Sequence, residues 1–154
     1  MLKSIIMKKP ASILSNLVLA GCLMLGSSIA QAEVTISDAW VRSTNPGQSV
    51  AAAYLTLSSR ENVSLVYVET ERAGTTELHS MAMQNGVMKM RHVEALTIPA
   101  NKPVKLAPGG LHLMLFELPS PFKTGEQIKF RFCFKDKTGR IHEQVVSLPV
   151  KTAN

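Results

Sequence analysis

After residue 32, no apolar period of 3.6 survives three turns anywhere in the chain. Short apolar or alternating runs take its place, and a chain built of such runs folds as strands. They lie at 34–37, 50–58, 64–71, 75–83, 87–93, 103–106, 111–117, 126–135 and 140–149. Turn residues separate them: Asn45-Pro46-Gly47, Arg60-Glu61-Asn62, Asn85-Gly86, Pro108-Gly109-Gly110 and Lys137-Thr138-Gly139. Val50–Leu55 has helix-compatible alanines, but it runs straight into Thr56-Leu57-Ser58 and is read as strand. Many short strands at this spacing predict a single all-β domain, a β-sandwich. The 154 residues suffice for one core, and a composition 45% hydrophobic and 18% charged can bury it.

The formal net charge of +6 overstates the basicity of the folding part. Lys3, Lys8 and Lys9 fall in residues 1–32, which hold no acid, so 14 basic residues face 11 acidic ones beyond them. With only 8 aromatics and no Lys/Arg run outside the N-terminus, a nucleic-acid groove is excluded.

Residues 1–32 read as an export segment. A basic start precedes a mostly apolar stretch at 11–30, interrupted by Ser12, Ser15, Asn16, Ser27 and Ser28, and Ala30-Gln31-Ala32 offers a small-x-small cleavage site. Cleavage after Ala32 is expected, leaving a domain of 33–154. The polar interruptions make a poor membrane span. Leu19-Ala20-Gly21-Cys22 also resembles a lipobox, against which Leu23-Met24-Leu25 continues the apolar run. A membrane partner enters only if Cys22 carries lipid. Either way the domain is expected outside the cytoplasm, in a Gram-negative periplasm. Cleavage leaves Cys133 alone, which excludes an internal disulfide and CxxC redox chemistry. On an alternating strand Cys133 falls on the face of Lys129 and Arg131, as a bland strand thiol, with a metal role as the alternative.

Methionine and histidine are clustered. Beyond residue 32 stand Met81, Met83, Met88, Met90, Met114, His79, His92, His112 and His142, and all but His142 lie between 79 and 114. Asn85-Gly86 between two alternating runs signals a two-residue hairpin. With those residues as the loop, Met83 faces Met88, Met81 faces Met90 and His79 faces His92, six side chains on one face of the ribbon. Ser80, Ala82, Lys89 and Arg91 fall on the other, solvated face. Glu77 and Glu94 are read as flanking the cluster. Pro108-Gly109-Gly110 then delivers a strand with His112 and Met114 on one face. His112, one residue past the turn, is expected within reach of solvent or a partner.

Thioether sulfur and imidazole nitrogen together suit Cu(I), a soft ion. Thioethers neither titrate nor form disulfides, which suits an oxidising compartment. Without a carboxylate in the cluster, Ca and Mg are disfavoured, and zinc would favour Cys or three His. The alternative is a metal-free β-sandwich interaction module with a Met-rich core, since Met fills irregular gaps. Against it, a core stripe would not place a His at its end and would favour Leu, Ile and Val. An electron-carrying blue-copper site needs a Cys ligand, and Cys133 lies outside the cluster. No nucleophile–base constellation suggests an enzyme.

The spacing H-x10-M-x21-H-x-M, from His79 through Met90 and His112 to Met114, resembles the periplasmic copper chaperones of the PCuAC (DUF461) family. Glu77-Leu78-His79, Asn85–Arg91, Ile98-Pro99-Ala100, Pro108–Leu115, Asp38–Arg42 and Ala52–Leu55 look like that family's core. The resemblance implies a cupredoxin-like Greek-key sandwich binding Cu(I) through His79, Met90, His112 and Met114. It also implies delivery to the CuA centre of cytochrome c oxidase subunit II, alongside Sco-type proteins. The family pattern commonly has Pro where this chain has His92. On the ligand face His92 would add a nitrogen and favour Cu(II), with Met81 as a further accessory; the alternative is an exposed hairpin histidine. The Lys151–Asn154 ending lacks the His/Met-rich tail of some members.

Overall fold

The computed structural model describes residues 33–152. The expected export segment, its cleavage point at Ala32 and the lipobox Cys22 lie outside the described residues. Within them the chain forms ten strands: β1 Val34–Arg42, β2 Val50–Ser59, β3 Val63–Glu69, β4 Thr75–Gln84, β5 Val87–His92, β6 Leu96–Ile98, β7 Val104–Leu106, β8 His112–Phe116, β9 Gln127–Asp136 and β10 Ile141–Lys151.

They hydrogen-bond in the order β5-β4-β8-β2-β1-β10-β9-β3-β6, with β7 also on β2. All pairings are antiparallel except β1 with β10, a short parallel contact of Val41 with Val150 and Arg42 with Lys151. That contact joins two half-sheets that share one core. Ala53, Leu55, Leu57, Leu113 and Leu115 come from one half, and Leu65, Ile128, Phe130, Phe132, Phe134 and Leu148 from the other. The β-sandwich read from the sequence is the architecture observed.

Strand period decides what is buried. On β9, Ile128, Phe130, Phe132 and Phe134 alternate into the core, with successive phenylalanine rings 6.0 and 6.3 Å apart. Cys133 does fall on the Lys129/Arg131 face, yet it is buried there between Tyr67 of β3 and Glu143 of β10. Burial, with Glu143 and Glu69 nearby, pushes the thiol up, which disfavours the nucleophilic thiolate.

Two elements depart from the sequence reading. β1 continues to Arg42 instead of stopping at 37, because a bulge between Ser37 and Trp40, with Asp38 at φ 51°, re-registers the strand on β2. β6 was not expected. Its three residues are too short for a period, and pairing with β3 alone makes them a strand.

Candidate metal centre

The site is built on β4, β5 and β8. Asn85 (φ 53°) and Gly86 (φ 80°) both occupy the left-handed region that a type I′ hairpin turn demands. The turn fixes the register at Gln84–Val87, Met83–Met88, Met81–Met90 and His79–His92, the pairing read from the sequence. β8 then pairs with the other edge of β4, setting His112 across from His79 and Met114 across from Glu77. Met114 is flanked on its far side by Ala52 of β2.

Alternation sorts these strands into two faces. Leu78, Leu113 and Leu115 point into the core. Glu77, His79, Met81, Met83, Met88, Met90, His92, His112 and Met114 share the outer face. Met83, Met88 and Met90 are 63%, 45% and 47% exposed, and no methionine belongs to the buried core of the described residues. The alternative of a Met-rich core is therefore overturned: the leucines and phenylalanines fill the interior, and the thioethers are left outside it.

The two central histidines differ in what holds them. His112 is 4% exposed, not at the solvent-reachable strand end expected, because β2 and β4 flank β8 on both sides. Its Nδ1–H donates to the Gly110 carbonyl at 2.9 Å. A carbonyl only accepts, so in the neutral ring the lone pair sits on Nε2. His79 donates from Nε2 to Glu77 Oε2 at 2.8 Å, which leaves the lone pair on Nδ1. That Nδ1 is buried and has no hydrogen-bond partner. An orphaned acceptor costs free energy where nothing binds it. The His79 ring belongs to the face that carries the thioethers, its centroid 6.1 Å from that of His112 and 6.0 Å from that of Phe116.

Glu77 does not flank the cluster, as the sequence reading had it, but belongs to it. Two residues before His79, it shares that side chain's face, a parity the sequence already offered. Its Oε2 lies 2.8 Å from His79 Nε2 and 3.5 Å from His92 Nδ1. The hydrogen bond from His79 holds the Glu77 carboxyl below its ordinary range. The His79 and His92 rings meet edge-on at 5.8 Å.

Of the candidate residues, His79, His92, His112 and Glu77 thus converge. Met114 and the Met81–Met90 pair occupy the neighbouring rows, one on each side of His79. His142 is remote, donating to Asp136 at 2.8 Å within the β9–β10 hairpin. The arrangement presents two imidazole rings among thioethers at a sheet surface. Such a donor set favours a soft or borderline metal over Ca or Mg.

Residues 34–150 match the LpqE-like family model. The Rickettsia prowazekii protein RP573 is 32% identical over 131 residues, which cover 81% of this chain and 69% of that protein. Among solved structures, CuI-DR1885 from Deinococcus radiodurans is 33% identical, with a TM-score of 0.52, covering 80% of this chain and 82% of that one. The copper-bound PCuAC domain from PmoF2 superposes with a TM-score of 0.63 at 20% identity, covering 80% and 97%, and so shows the fold. Orphaned imidazole, outward thioethers and family match agree, and the chain belongs to the LpqE-like family, of PCuAC type.

Proposed function

We propose that this chain is a copper carrier outside the cytoplasm, holding Cu(I) through His79, Met90, His112 and Met114. The buried, partnerless His79 Nδ1 beside His112 carries the reading: a lone pair kept from water and from hydrogen bonds awaits a metal. The donor chemistry supports Cu(I), and so does likeness to a relative solved with that ion. Met81 and His92 are accessory.

Loading and release follow from the placement. Met90 is half exposed at the edge ribbon, so an incoming acceptor can displace it first, while His112, held by the Gly110 carbonyl, lets go last. Thioether bonds are individually weak, and ligands exchanged one at a time give transfer without free ion. The acceptor we favour is the CuA centre of cytochrome c oxidase subunit II, with Sco-type proteins as co-workers, and export by cleavage after Ala32 places the carrier with them. Copper is cargo in this scheme, and no bond of a substrate is made or broken.

Anaerobic competition of the purified protein against a chromophoric Cu(I) chelator tests the site. A single tightly held Cu(I), lost when His112→Ala and Met114→Leu are combined, is expected. No binding, or full binding by the double variant, overturns the proposal. Metal content of an oxidase subunit II fragment after mixing and separation tests delivery.

A further inference from the structure

Glu77, His79 and His92 offer three donor atoms that all lie within 4.8 Å of one another, and the His79 atom that meets Glu77 is Nε2, not the orphaned Nδ1. Two donors bound to one ion at about 2.0–2.2 Å stand roughly 2.9–3.5 Å apart at right-angle to tetrahedral positions. Glu77 Oε2 lies 2.8 Å from His79 Nε2 and 3.5 Å from His92 Nδ1, close to that spacing before any ion enters. His92 is half exposed, with 52% of its side chain open, so a cation arrives from solvent without disturbing the core.

We propose that Glu77, His79 and His92 form a second metal site, for Cu(II), alternative to the thioether site and sharing His79 with it. The geometry stands by itself, and the identity of the cation rests on the copper-carrier reading. Imidazole and carboxylate suit a divalent copper ion, and among first-row divalent metals Cu(II) gains most from such donors. Thioethers serve the monovalent ion. A neutral imidazole has one lone pair. With the proton on Nε2, His79 offers Nδ1 to the thioether side. With the proton moved to Nδ1, it offers Nε2 to Glu77 and His92. The tautomer shift releases no net proton, and the two occupancies exclude each other. His79 is thereby the point at which one protein accepts either oxidation state, one ion at a time.

Electron paramagnetic resonance during Cu(II) titration of the purified protein tests this. One axial Cu(II) signal with nitrogen splitting is expected. His92→Gln and Glu77→Gln each weaken Cu(II) binding by about tenfold or more, as loss of a ligand does. His92→Gln weakens Cu(I) in anaerobic chelator competition far less than it weakens Cu(II). Met90→Leu with Met114→Leu does the reverse, losing Cu(I) and keeping the Cu(II) signal. Prior loading with Cu(I) suppresses that signal. A parent that takes up no Cu(II), a His92→Gln variant that binds it as the parent does, or simultaneous occupancy by both ions overturns the proposal. Failure of the Cu(I) assay alone, with the Cu(II) pattern intact, instead overturns the carrier reading and leaves this site standing.

Discussion

His79 is asked to do more than any other residue here. Its Nε2 is engaged by Glu77 and its Nδ1 is buried with nothing to bind, a combination that a purely structural histidine would avoid. Replacing exposed Met90 by Leu is expected to shift stability by no more than about 0.5 kcal/mol, as surface substitutions do. The same change weakens Cu(I) in chelator competition. Thermal unfolding of the metal-free variant checks the first statement, and a large loss there would return Met90 to the core. Because both imidazoles must be neutral to ligate, Cu(I) affinity falls as acid protonates them while the thioether share persists. Chelator competition across pH reads that slope. Asp136 makes a different pH prediction. It accepts hydrogen bonds from Thr138, Arg140 and His142, and that from the Thr138 hydroxyl leads the set that holds its carboxyl well below the usual range. A lowered folded value means stability that is present above the unfolded value, about 3.9, and fades as pH falls below it. Asp136→Asn is therefore less stable than the parent at neutral pH, and the gap narrows in acid. Parallel melts at several pH values decide it.

At the scale of elements, the β4–β5 hairpin fixes which side chains meet. A slip of one residue would turn the methionines to the Lys89–Arg91 side and dismantle the site. The type I′ turn prevents that slip. A Cβ at Gly86 would meet nothing within 4 Å, so Gly86→Ala is opposed only by its φ of 80°, at about 1–2 kcal/mol. Such a variant is expected to keep its core, judged by the thermal transition, and to release Cu(I) to a chelator faster. Unchanged release would show that β8 alone sets the site. Register and turn type here were legible from Asn85-Gly86 and the alternation around it. The depth of His112 was not, because its burial comes from β2 and β4 on either side, and neither pairing is written near residue 112.

Across the whole molecule, stability and chemistry are kept apart. Phe130, Phe132 and Phe134 are buried where the half-sheets meet, far in role from the metal-facing rows. Phe132→Ala is expected to cost about 3–5 kcal/mol, a large share of a typical domain's stability of about 5–15 kcal/mol. Denaturant melts should show this loss, with copper binding surviving wherever the variant stays folded. Such a division lets ligands on the outer face exchange without the core having to rearrange.

The chain's own pattern determined the strands, the turns, the hairpin register and the shared face of His79, Met81, Met83, Met88, Met90 and His92, because alternation and left-handed turn positions are local. Five marked turns and the Met/His clustering needed no partner segment to be read. Only the folded sheet decided that β8 lies against β4, that His112 is enclosed, and that Glu77 reaches both His79 and His92. The same holds for the Asp38 bulge, the short β6 and the burial of Cys133. Each depends on hydrogen bonds or packing between segments distant in sequence, and a periodicity confined to one segment carries no information about its neighbour.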